Sequence, residues 1–140
     1  LMDHLAADEA NNAKNNRKTL EANDDKQQQY DEFLRMEKMV IDRGLFLQPK
    51  LERSDVAKEM GISTSHFNEL FARFSDQSFT NFINDLRMEH AAKLLKDKSN
   101  YTIEAIANEC GVPIRQTFYR LFSKKFGMTP AEYRNVVADE

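Results

Sequence analysis

The chain has 140 residues, 41% of them hydrophobic and 31% charged, with a formal net charge of −3, four Gly, three Pro, one Cys and no Trp. That length suits one domain, or a domain of about 100 residues with an appendage; the lone cysteine excludes a disulfide framework and a Cys-cluster zinc site, and no apolar run approaches the roughly 20 residues that span a bilayer. Twelve Leu, six Ile, five Val and ten Phe are enough to bury a core, while seven Gly and Pro are too few for the turns of a sandwich or barrel, so the expected fold is all-α.

Residues 1–29 contain Asn11, Asn12, Asn15, Asn16 and Gln27-Gln28-Gln29, with no aromatic residue. Leu5 and Leu20 are too sparse for a sustained heptad seam, so this stretch reads as a polar linker or a helical connector outside the core. The opening Leu1-Met2 reads as an excised fragment, and no signal-peptide apolar region follows it. From Tyr30 the pattern changes: Tyr30, Phe33, Leu34, Met36, Val40 and Ile41 recur at helical spacing, and Gly44 is a natural stop. After Pro49, a helix carrying Val56, Ala57 and Met60 ends at Gly61. Ser63 offers an N-cap to a helix with Phe67, Leu70, Phe71 and Phe74 on one face. Ser78 then opens a longer helix through Phe82, Ile83, Leu86, Ala91 and Leu95.

The pattern now repeats. Thr102 caps a helix bearing Ile103, Ile106, Ala107 and Cys110 that stops at Gly111; the next carries Phe118, Leu121, Phe122 and Phe126 and stops at Gly127. Thr129-Pro130-Ala131-Glu132 is a capping-box sequence with proline at the first helical position, so a last helix starts there. Val56-Ala57-x-x-Met60-Gly61 matches Ile106-Ala107-x-x-Cys110-Gly111 at an offset of 50, whereas Leu70-Phe71 matches Leu121-Phe122, and Phe82 matches Tyr133, at 51. The second copy therefore has one extra residue in its turn. A small Ala followed four residues later by Gly is what a helix-turn-helix requires: the second helix crosses close over the Ala, and the Gly takes a positive φ in the turn. The expected layout is a first helix-turn-helix at about 52–74, a connecting helix at about 79–96, a second helix-turn-helix at about 102–126 and a final helix at about 130–137, all within residues 30–140.

Residues from about Gly44 to Arg134 resemble the C-terminal DNA-binding domain of the AraC/XylS transcription regulators. The resemblance rests on Arg87-Met88-x-x-Ala91-Ala92-x-Leu94-Leu95, on Ile103-x-x-Ile106-Ala107-x-x-x-Gly111, and on Phe118-Tyr119-Arg120-x-Phe122-Ser123-Lys124-Lys125-Phe126-Gly127-Met128-Thr129-Pro130-x-x-Tyr133-Arg134. Two departures stand out. Val112 replaces the usual aromatic after the second turn glycine, and Ile114, preceded by Pro113, replaces the usual Ser or Asp cap. Leu45-Phe46-Leu47-x-Pro49-x-Leu51 also looks like the AraC-type domains of membrane-bound sensors in Bacteroidetes. The resemblance implies two recognition helices in successive major grooves of double-stranded DNA, RNA polymerase as a partner of the full regulator, and an upstream sensor or dimerisation domain absent from this chain. It also implies a cytoplasmic location for this domain, within a longer protein that a membrane can anchor.

Charge distribution agrees with that reading better than the net charge does. Residues 1–32 hold four basic and eight acidic side chains, residues 33–140 hold 16 and 15, and residues 111–126 carry Arg115, Arg120, Lys124 and Lys125 with no acid. Helix geometry turns Phe67, Leu70 and Phe71 inward and leaves Ser65, His66, Asn68 and Glu69 toward a groove. In the second unit Phe118, Leu121 and Phe122 turn inward and leave Arg115, Gln116, Tyr119 and Arg120. These eight match the family's base-reading positions: Arg can read guanine, Gln or Asn adenine, and Glu the cytosine amine. Arg73, Lys124 and Lys125 lie a turn further on, where phosphates are expected. His4, His66 and His90 form no ligand pair, Cys110 takes the place of core Met60, and no phosphate loop or catalytic arrangement is present, so no metal, cofactor or enzymatic activity is expected. The competing class is a helical protein–protein interaction module that uses the same shape without DNA.

Overall fold

The small polar residues that the sequence offers as caps stand at helix starts in the computed structural model, which describes residues 2–138. Hydroxyls of Ser63, Ser78, Thr102 and Thr129 accept from the backbone N–H of His66, Asn81, Ala105 and Glu132 at 3.0–3.1 Å. The helices they delimit are α1 (Met2–Asp42), α2 (Arg53–Met60), α3 (Thr64–Phe74), α4 (Phe79–Asp97), α5 (Ile103–Glu109), α6 (Arg115–Phe126) and α7 (Pro130–Ala138), with a 3-10 turn at Leu45–Leu47. No strand occurs among the described residues, and the fold is all-α.

The polar stretch before Tyr30 and the amphipathic stretch after it form one helix of 41 residues. Nothing between residues 2 and 42 is Gly or Pro, so no residue breaks the run. Residues 10–28 are exposed throughout, and packing begins at Gln29. The buried face of α1 is narrower than its apolar pattern: Phe33, Met36 and Val40 enter the core, whereas Tyr30, Leu34 and Ile41 stay 42%, 42% and 47% exposed.

Two cores divide the molecule. The first joins Phe33, Met36 and Val40 to Val56, Ala57, Phe67, Phe71, Phe79, Phe82 and Ile83; the second joins Met88, Ala91, Ala92 and Leu95 to Ile106, Ala107, Cys110, Val112, Phe118 and Phe122. α4 serves both, its first turns in one core and its later turns in the other. The sequence repeat is visible as geometry: Phe71 meets Phe82 edge-on at 5.8 Å, and Phe122 meets Tyr133 edge-on at 5.4 Å. The helices α2–α3–α4 of the first unit thus correspond to α5–α6–α7 of the second, and α7 repeats the role that the start of α4 plays in the first.

One buried charge ties the units together. Arg87 of α4 is 9% exposed; its Nε donates to the carbonyl of Phe46 at 2.7 Å, Nη2 to that of Gln48 at 2.6 Å and Nη1 to Asn84 Oδ1 at 3.2 Å. The 3-10 turn is thereby held against α4, directly beneath Gly111 of the second unit. Burial pulls the Arg87 pKa below its ordinary value, and the carbonyl dipoles are what a buried guanidinium needs in place of water.

Candidate nucleic-acid interface

Both turns close in the same way. Gly61 N–H bonds to Lys58 O and Ile62 N–H to Ala57 O, each at 3.0 Å; Gly111 N–H bonds to Asn108 O at 3.2 Å and Val112 N–H to Ala107 O at 2.9 Å. This is the Schellman pattern, which needs a left-handed residue at the glycine; φ is +73° at Gly61 and +86° at Gly111. Ala57 and Ala107 are buried under the helices that follow, so α3 and α6 leave their turns against equivalent seats. The extra residue in the second turn is Pro113, and it carries the chain to Ile114, which gives α6 no side-chain cap and is 65% exposed.

On α3, Phe67, Leu70 and Phe71 are buried, and Ser65, Asn68 and Glu69 are exposed. His66 is half-buried, with Nε2 2.9 Å from Glu32 Oε1 of α1. An ionised carboxylate can only accept, so that nitrogen carries the proton. Asn68 Oδ1 accepts from Arg53 Nη1 at 3.1 Å, and the Arg53 guanidinium lies over the rings of Phe71 and Phe79 at 5.4 and 5.5 Å. Arg73 Nη1 donates to Gln29 Oε1 of α1 at 2.6 Å. The first face is therefore braced from α1 and α2, and His66 and Arg73 are spoken for inside the chain.

On α6, Arg115, Gln116 and Arg120 are exposed and Tyr119 is half-buried. Arg115 Nη1 reaches Glu104 Oε1 at 2.6 Å, Nη2 reaches the Tyr119 hydroxyl at 3.3 Å, and the guanidinium lies 4.8 Å from the Tyr119 ring centre. Both ends of that ion pair are 62% exposed, and exposed pairs are worth only about 0–1 kcal/mol, so a guanine edge or a phosphate can displace Glu104. Lys125 instead turns back to α4, 3.2 Å from Asp85 and 3.6 Å from Glu89. Among the described residues, Arg120 and Lys124 have no hydrogen-bond or ion-pair partner. Two neighbouring depressions border α4 and α6: Arg120 lines one with Thr117, Asn84 and Pro49, and Lys124 lines the other with Asn81 and Gln77. Leu121, only half-buried, and Asn84 line both.

Arg53 and Arg87 are the residues that sequence reasoning missed. Arg87 stood in the motif without a role, and its partners, 41 and 39 positions away, are backbone carbonyls that no side-chain pattern marks. Cys110 is fully buried, donates to Ala107 O at 3.4 Å, and burial pushes its thiol up to about 11, as befits a packing residue. Among the described residues, no group of three His, Cys, Asp or Glu is placed to hold a metal ion, and no helix is long and apolar enough to cross a membrane.

Two units joined through α4, each presenting a second helix across a glycine turn, define a tandem helix-turn-helix protein. Comparison with known proteins sharpens this. A helix-turn-helix domain model matches residues 56–135, more than half of the chain. YpdC of Escherichia coli K12, a helix-turn-helix type transcriptional regulator, is 35% identical over 88 residues, which are 63% of this chain and 30% of that relative. The chain thus spans less than a third of that relative's length. The C-terminal domain of AraT, a response regulator from Geobacillus stearothermophilus, superposes with a TM-score of 0.65 at 26% identity, covering 75% of this chain and 84% of that one. The DNA-binding domain of AdpA, solved with a target DNA, gives a TM-score of 0.65 over 76% of this chain and 93% of its own; its 18% identity speaks for the fold alone. The chain belongs to the AraC-type helix-turn-helix family.

Proposed function

We propose that the chain is the sequence-specific DNA-binding module of a transcription regulator, and that α3 and α6 enter adjacent major grooves on one face of the duplex. The observation that carries this reading is the duplicated turn, which presents the exposed polar faces of two helices from a single rigid α4. Ser65, His66, Asn68 and Glu69 on α3, and Arg115, Gln116, Tyr119 and Arg120 on α6, are assigned to base edges; Arg73, Lys124 and Lys125 are assigned to phosphates. His66, Arg73, Arg115 and Lys125 must first exchange their present partners, as must Asn68 to read adenine. On this reading RNA polymerase and a separate sensor or dimerisation domain, membrane-anchored or free, are partners of the longer regulator, and this segment works in the cytoplasm.

Labour is divided unequally. Unpartnered Arg120 and Lys124 make the second unit the anchor, since phosphate attraction supplies most sequence-independent affinity. Glu69 repels phosphates unless it meets a cytosine amine, so it selects against wrong sites. Titration on a selected duplex and a scrambled one tests this. Arg120→Ala should cost about 1–3 kcal/mol on the selected site, while Glu69→Ala should relax base preference and leave scrambled binding equal or tighter. Five base pairs inserted between the half-contacts should abolish specific binding, because the grooves, roughly 34 Å apart, then face opposite sides. Binding that is absent, or indifferent to salt, would instead identify a protein–protein module.

A further inference from the structure

We propose that Arg53, which lies on neither α3 nor α6, is a positioning residue that decides which base Asn68 reads, turning it from adenine to guanine. The inference rests on the assignment of the exposed α3 face to base edges. Arg53 stands where the second unit needs only packing: at the offset of 50 it takes the place of Ile103, which lies against the second core. Half-buried, it is seated with its guanidinium over the rings of Phe71 and Phe79 at 5.4 and 5.5 Å, whose negative faces attract a cation.

From that seat Arg53 Nη1 donates to Asn68 Oδ1 at 3.1 Å. A guanidinium carries donors only, so the amide oxygen can meet it and the amide nitrogen cannot. The bond therefore holds Asn68 against the half-turn that would exchange its two ends, and Nδ2, with two N–H donors, is the free end. The second unit repeats the arrangement. At the offset of 51 Asn68 corresponds to Tyr119, whose hydroxyl oxygen accepts from Arg115 Nη2 at 3.3 Å and so keeps its own proton to give. An asparagine reads adenine with both ends at once, the oxygen accepting from N6 and the nitrogen donating to N7. With its oxygen drawn to a cation, Asn68 offers donors, and guanine matches them because O6 and N7 both accept. Adenine would bring an N6 amine for which no free acceptor is left on Asn68.

The test selects duplexes for the whole chain from a randomised library, and the base pair at which Asn68→Ala loses preference is the one Asn68 reads. On four duplexes differing only there, the unaltered chain should bind the guanine form roughly fivefold or more tighter than the adenine form. Arg53→Met, which keeps a long stem over both rings, and Arg53→Ile, the residue of the second copy, should bring that ratio to one or below. Preferences read from α6 should not change, and Arg53→Lys, whose head is also donor-only, should keep the order. Without DNA, the side-chain amide signals of Asn68 in a nitrogen–proton NMR spectrum, identified by their absence in Asn68→Ala, should shift in Arg53→Met. Unshifted signals would overturn the positioning role whatever the DNA result. So would an adenine preference in the unaltered chain, a ratio that Arg53→Met leaves intact, or an equal loss of affinity on all four duplexes, which would make Arg53 a phosphate contact. A chain that enriches no duplex would instead overturn the DNA reading on which the proposal rests.

Discussion

Gly61 and Gly111 occupy the same place in the repeat, yet substitution should separate them sharply. Both have positive φ, +73° and +86°, so any L side chain pays the left-handed penalty of about 1–2 kcal/mol. A Cβ on Gly61 would meet nothing within 4 Å, so Gly61→Ala should cost only that penalty. On Gly111 it would stand 2.7 Å from the carbonyl oxygen of Leu47, 3.0 Å from its carbon and 3.2 Å from Arg87 Nε. The Leu47 carbonyl cannot retreat alone, because its neighbours Phe46 and Gln48 are the carbonyls that hold Arg87. Relieving the contact weakens one or both of those hydrogen bonds to a charged group, each worth about 1.5–3 kcal/mol. Gly111→Ala should therefore destabilise by about 3–6 kcal/mol, against about 1–2 for Gly61→Ala. Urea unfolding followed by circular dichroism measures both, and in melting temperature the pair should differ by roughly 5 °C or more for a chain of this size. Asparagine, which tolerates the left-handed region, should rescue the first position and not the second. Equal losses at the two glycines would refute the argument that the 3-10 turn and Arg87 wall in Gly111.

The lysine pair at the end of α6 should also separate: Lys124→Ala lowers the salt dependence of DNA affinity by close to one phosphate contact, whereas Lys125→Ala, whose ammonium is held by Asp85 and Glu89, lowers it less. Iodoacetamide at pH 8 should leave Cys110 unmodified in the folded chain and alkylate it once urea unfolds the second unit, because the thiol is buried and pushed up to about 11. His90, whose ring meets the edge of Phe46 at 5.9 Å, has its pKa lowered from 6.5, chiefly by burial and then by Lys93. The unfolded chain then binds the proton more readily than the folded one, so this residue's share of stability is complete above pH 6.5 and declines as pH falls from there toward the folded value. His90→Gln should flatten the decline in pH-dependent melting; an unchanged slope would remove His90 from the account.

Local chemistry explains most of what the sequence made legible. Caps at Ser63, Ser78 and Thr102 and stops at Gly44 and Gly61 depend on neighbours within four residues, so they could be read directly. The repeat offset placed the turn glycines, and the Phe82–Tyr133 correspondence anticipated α7 as the counterpart of the start of α4. Residues 1–29 were harder, because a polar, breaker-free stretch is equally consistent with a frayed linker and with the continuous α1 that forms. The brace around α3 could not be read at all. His66 with Glu32, Asn68 with Arg53, and Arg73 with Gln29 are pairings across 34, 15 and 44 residues, fixed only once α1 and α2 lie against α3. The same holds for Lys125, which spacing alone set beside Lys124 while tertiary packing turned it toward α4.

The sharing of α4 by both cores has a consequence for how such a protein can change over generations. Its 19 residues act as a fixed screw between the two units, rising about 1.5 Å and turning about 100° per residue. One inserted residue would barely alter the distance between the units but would swing α5, α6 and α7 about a quarter turn off the face that α3 occupies. Insertions and deletions in α4 are thus phase errors, whereas substitutions on α3 and α6 change the exposed faces that the proposed function assigns to base edges and leave the phase intact. Length drift has room instead in the exposed turn at Lys98, Ser99 and Asn100, where a longer loop adds little closure entropy and leaves α5 seated on α4. On the proposed function, a change of binding preference that keeps both units in phase is therefore expected from point substitutions and not from a change in the length of α4.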